Sequence, residues 1–203
     1  DFINRLFAKY SDFFIPAKTA DDIRNAFIAT QDPNVVRVLA SLLGVEGGHM
    51  IGEDLGALRT LYALGARYLT LTHSCSTNWA KSASDSFSGP ENGLSTFGVS
   101  VIRQMNRLGM LVDLSHTAPV TMRAVLNITQ APVIFSHSNA YEVCKSVRNV
   151  PDDVILKVKQ NGGIIMLTFM PSYVRDEERV AYEQIVRDNH GNYKQVKVAV
   201  REW

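Results

Sequence analysis

"LVDLSHTAPVTMRAVLNITQAPVIFSH", residues 111–137, does one thing twice. An apolar run ends in Ser115-His116, and a second ends in Ser136-His137, 21 residues further on. Between them "PVTMRAVLNIT" has helical spacing, with a proline at its start. The two runs are apolar almost throughout rather than alternating with polar residues. Strands of that kind are buried on both faces, as in a parallel sheet covered by helices.

The same alternation extends in both directions. Upstream lie the helical pattern "TFGVSVIRQMNRLG", the strand "RYLTLTH" ending in His73, and "LGALRTLYALG", a helix stopped by Gly65. Before these, "VVRVLASLLGVEGG" is a β-rich run broken by Gly47-Gly48. "DFINRLFAKYSDFF" reads as a helix through Phe2, Leu6 and Tyr10, and Thr19 is placed to cap "ADDIRNAFIAT". Downstream, "VPDDVILKVKQNGG" is a helix with Pro151 before it and glycine after it, and "GIIMLTFM" is a strand. A charged tail from about Tyr173 starts as helix. The count is five strands in an α/β protein. Neither GxGxxG nor GxxxxGK[ST] follows any of them, which argues against a nucleotide-binding sheet.

Composition narrows the function. The 203 residues are 46% hydrophobic, enough for a sizeable core. With 21 basic and 20 acidic residues the formal charge is +1, and no basic stripe points to nucleic acid. No apolar run approaches the roughly 18 residues of a membrane span. The opening residues form a mixed helical pattern rather than a signal peptide. Cys75 and Cys144 form no CxxC, and the sequence does not say whether they pair. Asn127-Ile128-Thr129 is an N-x-T triplet that a secretory protein can carry glycosylated, although such triplets also arise by chance.

The chemistry gathers at the strand ends. Successive runs finish on Glu46, His73, His116 and His137, and the last on Phe169–Tyr173. In a (β/α)8 barrel the active site is built at that end of the strands. A lone histidine there is usually a hydrogen-bonded loop residue, but one carboxylate and three imidazoles at four successive ends form a pattern. A carboxylate after "SLLGV" is costly to bury unless a cation compensates it. Glu46 with two histidines suits Zn²⁺ with a position left open for water. Gly47 and Gly48 would let the backbone approach such a site. His49 and His190 read as solvated rather than as ligands. Asp113 should point the same way as Ser115, as a partner supporting the ligands or bridging strands. Arg148, in the loop after the His137 strand, would suit a substrate carboxylate.

The stretches "GVEGGH", "RYLTLTHSC", "GLSTFG", "NRLGMLVDLSH", "APVIFSHS" and "RNVPDD" occur in an order that resembles the renal (membrane) dipeptidase family. These are zinc peptidases of the metal-dependent-hydrolase barrel type, and the likeness runs across roughly residues 1–174. The resemblance implies a (β/α)8 TIM barrel of which about five of eight strands are here, so that residues 1–203 form part of one catalytic barrel domain. Residues 175–203 do not follow the pattern of the animal members and read from their composition as a charged, helical insertion or tail. It implies two zinc ions per full-length subunit, bridged by Glu46, with His116 and His137 completing one site. A hydroxide shared by the ions would attack a dipeptide. His73 would steady the oxyanion, Arg148 would clamp the substrate's C-terminal carboxylate, and Tyr173 would stand on the substrate side.

The chain also departs from the family pattern. The family's His-x-Asp motif at its first strand and its late-strand Asp are both absent, so the second zinc site would be half built. The expectation is a fragment of a longer enzyme. The alternative is a catalytically inactive homologue acting as a binding or interaction module, and a third reading changes the bond cleaved to another small amide. In extracellular members the positions of Cys75 and Cys144 form disulfides whose partner positions are not filled here; the partner of Cys144 would fall near Asp176. With the N-x-T triplet, Cys75 favours an extracellular or membrane-anchored parent, with a cytoplasmic one as the alternative. A homodimer is a family expectation.

Overall fold

The structure is a computed structural model and describes residues 2–31, 38–85, 87–189 and 191–192. His190 and the end of the tail lie outside the described residues. The chain opens with α1 (Phe2–Lys9), β1 (Phe14–Pro16), α2 (Ala20–Ala29) and β2 (Leu39–Ser41). It continues with β3 (Leu43–Glu46), a 3-10 turn (Gly48–Ile51), α3 (Leu55–Ala63) and β4 (Ala66–Thr70). Then come α4 (Thr96–Leu108), β5 (Leu111–Asp113), α5 (Pro119–Ile128) and β6 (Ile134–Phe135). The last elements are α6 (Asp152–Asn161), β7 (Ile164–Ile165), α7 (Pro171–Val174) and α8 (Asp176–Asp188).

β3 to β7 form one sheet in chain order, every pair parallel. This is the expected α/β arrangement, five strands of a (β/α) barrel type, and among the described residues the arc is open at β3 and β7. The expected caps hold. Thr19 accepts from the Asp22 amide while Asp22 reaches back to the Thr19 amide, a complete capping box. Gly109 and Gly162 end α4 and α6 in the left-handed conformation.

Alternation along the strands sorts core from site. Leu69, Leu71, Val112, Leu114, Val133 and Phe135 enter a buried cluster with Leu58, Val101, Met105 and Met122 of the covering helices. Thr70, Asp113 and Ser136 therefore stand on the opposite face, inside the arc. The two edge strands depart from the buried-on-both-faces expectation. β3 is only half-buried, and beside β7 the side chains of Ile164, Leu167 and Phe169 are exposed, because no strand lies beyond them among the described residues.

Two expectations need correction. The opening helix stops at Lys9, and Phe14–Pro16 instead pairs in parallel with β2. Pro16 cannot lie inside a helix and pushes Ile15 toward extended backbone, which outweighs the helical spacing of the apolar residues. The single β-rich run before Gly47 is two strands, broken at Leu42, with β2 joined to β1 and β3 joined to β4.

Candidate metal centre

β3 delivers Glu46 to the end of the sheet. The Gly47 amide then donates to the Thr70 carbonyl (3.1 Å) and that of Gly48 to the Leu71 carbonyl (3.2 Å), so the chain crosses directly over the end of β4. Gly47 has φ 110°, and a Cβ on Gly48 would sit 2.3 Å from the Leu71 oxygen. Both positions require glycine for this crossing.

His73 follows β4. Its ring stacks on that of His116 at 4.2 Å between centroids, and its Nε2 lies 3.9 Å from Glu46 Oε1. His116 follows β5 with φ 68°, the one non-glycine residue at positive φ among those described. Such strain concentrates at functional sites, and here it turns the ring across the mouth. His137 follows β6, and its amide donates to Ser115 Oγ (2.9 Å).

Three atoms converge. Glu46 Oε1 lies 3.3 Å from His116 Nε2 and 3.3 Å from His137 Nε2. The two Nε2 atoms are 2.9 Å apart. Zinc bonds of about 2.0–2.1 Å at a tetrahedral angle set neighbouring donors about 3.3–3.4 Å apart, so the two sides that meet at Glu46 have the size of a zinc site and the histidine pair would open by about 0.4 Å to complete one face. Among the described residues it is the one group of three such ligand atoms. Burial, then the nearby Arg148, holds His116 down to about 3, and the same two causes lower His137. Both imidazoles are thus neutral near pH 7, the form that ligates.

Arg148 is 6% exposed. Its Nη1 donates to Tyr173 Oη (3.2 Å), and its carbon lies 5.2 Å from that ring's centroid. Nε and Nη2 are buried with no hydrogen-bond partner. These two atoms share one edge of the guanidinium, the edge that pairs with a carboxylate through two parallel bonds. Burial lowers the pKa of Arg148. Asn139 and Asn149 both donate to the Tyr173 carbonyl, at 3.1 and 2.8 Å, and tie α7 to this corner. Neither asparagine was singled out by sequence.

His49 is exposed and outside the cluster, as expected. Cys75 and Cys144 are both free thiols, the first exposed and the second buried. Asp176 does lie beside Cys144, accepting from the Lys145 amide at 2.9 Å.

A parallel α/β sheet with a carboxylate and two imidazoles able to hold a metal at the C-terminal ends of its strands is the arrangement of a barrel-type metalloenzyme. The profile of the membrane dipeptidase family, peptidase family M19, matches residues 1–193, and the chain belongs to that family. Dipeptidase aclJ of Aspergillus oryzae (strain ATCC 42149 / RIB 40) is 41% identical over 182 residues, covering 88% of this chain and 41% of that protein. A metallo peptidase from Rhodobacter sphaeroides, solved with a phosphinate mimic of the dipeptide L-Ala-D-Ala, is 27% identical. It superposes with a TM-score of 0.71 over 82% of this chain and 46% of its own. The probable dipeptidase PvdM from Pseudomonas aeruginosa has the same fold, with a TM-score of 0.79 at 21% identity, over 91% of this chain and 46% of its own. The chain thus spans less than half the length of these relatives.

Proposed function

We propose that the protein to which this chain belongs is a zinc-dependent dipeptidase, and that residues 1–203 supply part of its catalytic barrel. The observation that carries the reading is the Glu46–His116–His137 triangle beside a buried arginine with one unpaired edge. Glu46 Oε1 and the two Nε2 atoms would hold one ion. The half-exposed Glu46 side chain leaves room for a second, in keeping with the two zincs per subunit that the family resemblance implies. When bound, zinc supplies Lewis acidity and a water whose pKa falls to about 7.

The protein's own groups do the rest. His73 Nδ1 lies 3.1 Å from Ser74 Oγ, and its Nε2 lies on the side of Glu46, 3.9 Å from Oε1. It donates to the scissile carbonyl oxygen as negative charge develops there. Arg148 receives the substrate's C-terminal carboxylate on its Nε–Nη2 edge, whose two nitrogens have no hydrogen-bond partner. Tyr173 orients the guanidinium through the remaining nitrogen. The substrate is a short peptide with a free carboxylate.

An extracellular or membrane-anchored setting, a homodimer and glycosylation at the exposed Asn127 belong to the same proposal. They are supported by the family resemblance and the N-x-T triplet. No described helix is long and apolar enough to cross a membrane.

The test is zinc content by elemental analysis of the protein at its natural full length, with hydrolysis of a simple dipeptide. Bound zinc and turnover that chelation removes and zinc restores are expected. A folded protein with no zinc and no turnover overturns the proposal in favour of an interaction module.

A further inference from the structure

Asp113, at the end of β5, is fully buried. Its Oδ1 accepts the main-chain amides of Ser115 (3.1 Å) and Ser136 (2.9 Å). Its Oδ2 accepts the hydroxyls of Thr70 (2.6 Å) and Ser136 (2.6 Å). The same Ser136 Oγ lies 2.7 Å from Nδ1 of His137. A serine hydroxyl has one proton to give, and a carboxylate accepting four bonds has none. If Ser136 donated to Nδ1, its lone pairs would face Asp113 Oδ2 at 2.6 Å with no proton between them. Only one assignment satisfies both contacts. Ser136 donates to Asp113 and accepts from Nδ1–H of His137.

We infer that Asp113 and Ser136 are positioning residues that lock His137 in its Nδ1–H tautomer, leaving the Nε2 lone pair aimed at the point faced by Glu46 and His116. The inference rests on the metal-centre reading for its consequence, not for its geometry. A ligating histidine is oriented by the bond its other nitrogen makes. Here that bond passes through a hydroxyl to a carboxylate fastened to three strands, β4, β5 and β6. In the ion-free state His116 Nε2 is then the donor across its 2.9 Å contact with His137.

Asp113→Asn is the sharpest test, because it keeps shape and reverses polarity. The amide oxygen stays on the two main-chain amides, so the NH₂ group takes the place of Oδ2 and donates to Ser136. Ser136 must then donate to Nδ1, and His137 turns its Nε2–H toward the metal point. The tautomer is read by ¹⁵N NMR of the metal-free protein, with His137 assigned by its loss in His137→Gln. Zinc affinity is read by competition with a chromophoric chelator. Wild type should show Nδ1–H at His137. Asp113→Asn should show Nε2–H and bind zinc roughly 10–100-fold more weakly, the usual effect of losing such a partner. Ser136→Ala should weaken zinc binding, and Ser136→Thr, which keeps the hydroxyl, should restore it. If Asp113→Asn does not fold, the two Ser136 variants decide. Nε2–H in wild type, or an unchanged tautomer and zinc affinity in the variants, overturns the inference. A tautomer that switches as stated in a protein that binds no zinc would overturn the metal reading and leave the relay standing.

Discussion

His116→Ala is expected to abolish zinc binding and dipeptide hydrolysis while the fold persists. His116 Nε2 is one of the three atoms of the candidate ligand triangle, and no other His, Cys, Asp or Glu among the described residues joins that group. Its loss should cost more affinity than the ~10–100-fold typical of a supporting partner. The same residue carries a backbone penalty, since φ 68° is unfavourable for any side chain with a Cβ. His116→Gly should therefore be more stable than His116→Ala by about 1 kcal/mol, while equally unable to bind zinc. Chelator competition and urea denaturation on the two variants separate these effects. Retained hydrolysis in either would remove His116 from the site.

The second large effect is expected at Arg148. A buried guanidinium with two unpaired nitrogens is poorly placed for stability, and replacing a buried charge with an apolar residue is often neutral or stabilising. Arg148→Met should leave the melting temperature unchanged or raise it. For a dipeptide, kcat/KM should fall by roughly 10²–10³-fold, since removing one member of a buried charge pair costs about 2–5 kcal/mol. The decisive comparison uses a dipeptide and its C-terminal amide. Wild type should prefer the free carboxylate strongly, and Arg148→Met should lose that preference. A preference that survives the substitution would place the carboxylate elsewhere.

The candidate site residues are legible in sequence because each interrupts an apolar run at a strand end, where a polar residue needs a reason. Glu46, His73, His116 and His137 do meet, and the geometry brings Arg148 and Tyr173 together as a pair. Ser136 was visible only as half of a repeated Ser-His. Its role depends on Asp113 of the neighbouring strand, and that pairing is set by sheet register rather than by local pattern. The exposure of the sheet edges is not legible in sequence for a related reason. An apolar run announces that a face can be buried, not which strand will cover it, and β3 and β7 have no outer neighbour among the described residues. β1 was hidden because helical spacing in "DFINRLFAKYSDFF" masked the influence of Pro16 on the residues before it.

The most direct test of the metal centre is anomalous diffraction at the zinc edge from crystals of the protein grown with zinc. A peak is expected within about 2.0–2.2 Å of Glu46 Oε1, His116 Nε2 and His137 Nε2 together. No peak at that point, or zinc held by other side chains with these three unligated, would contradict it.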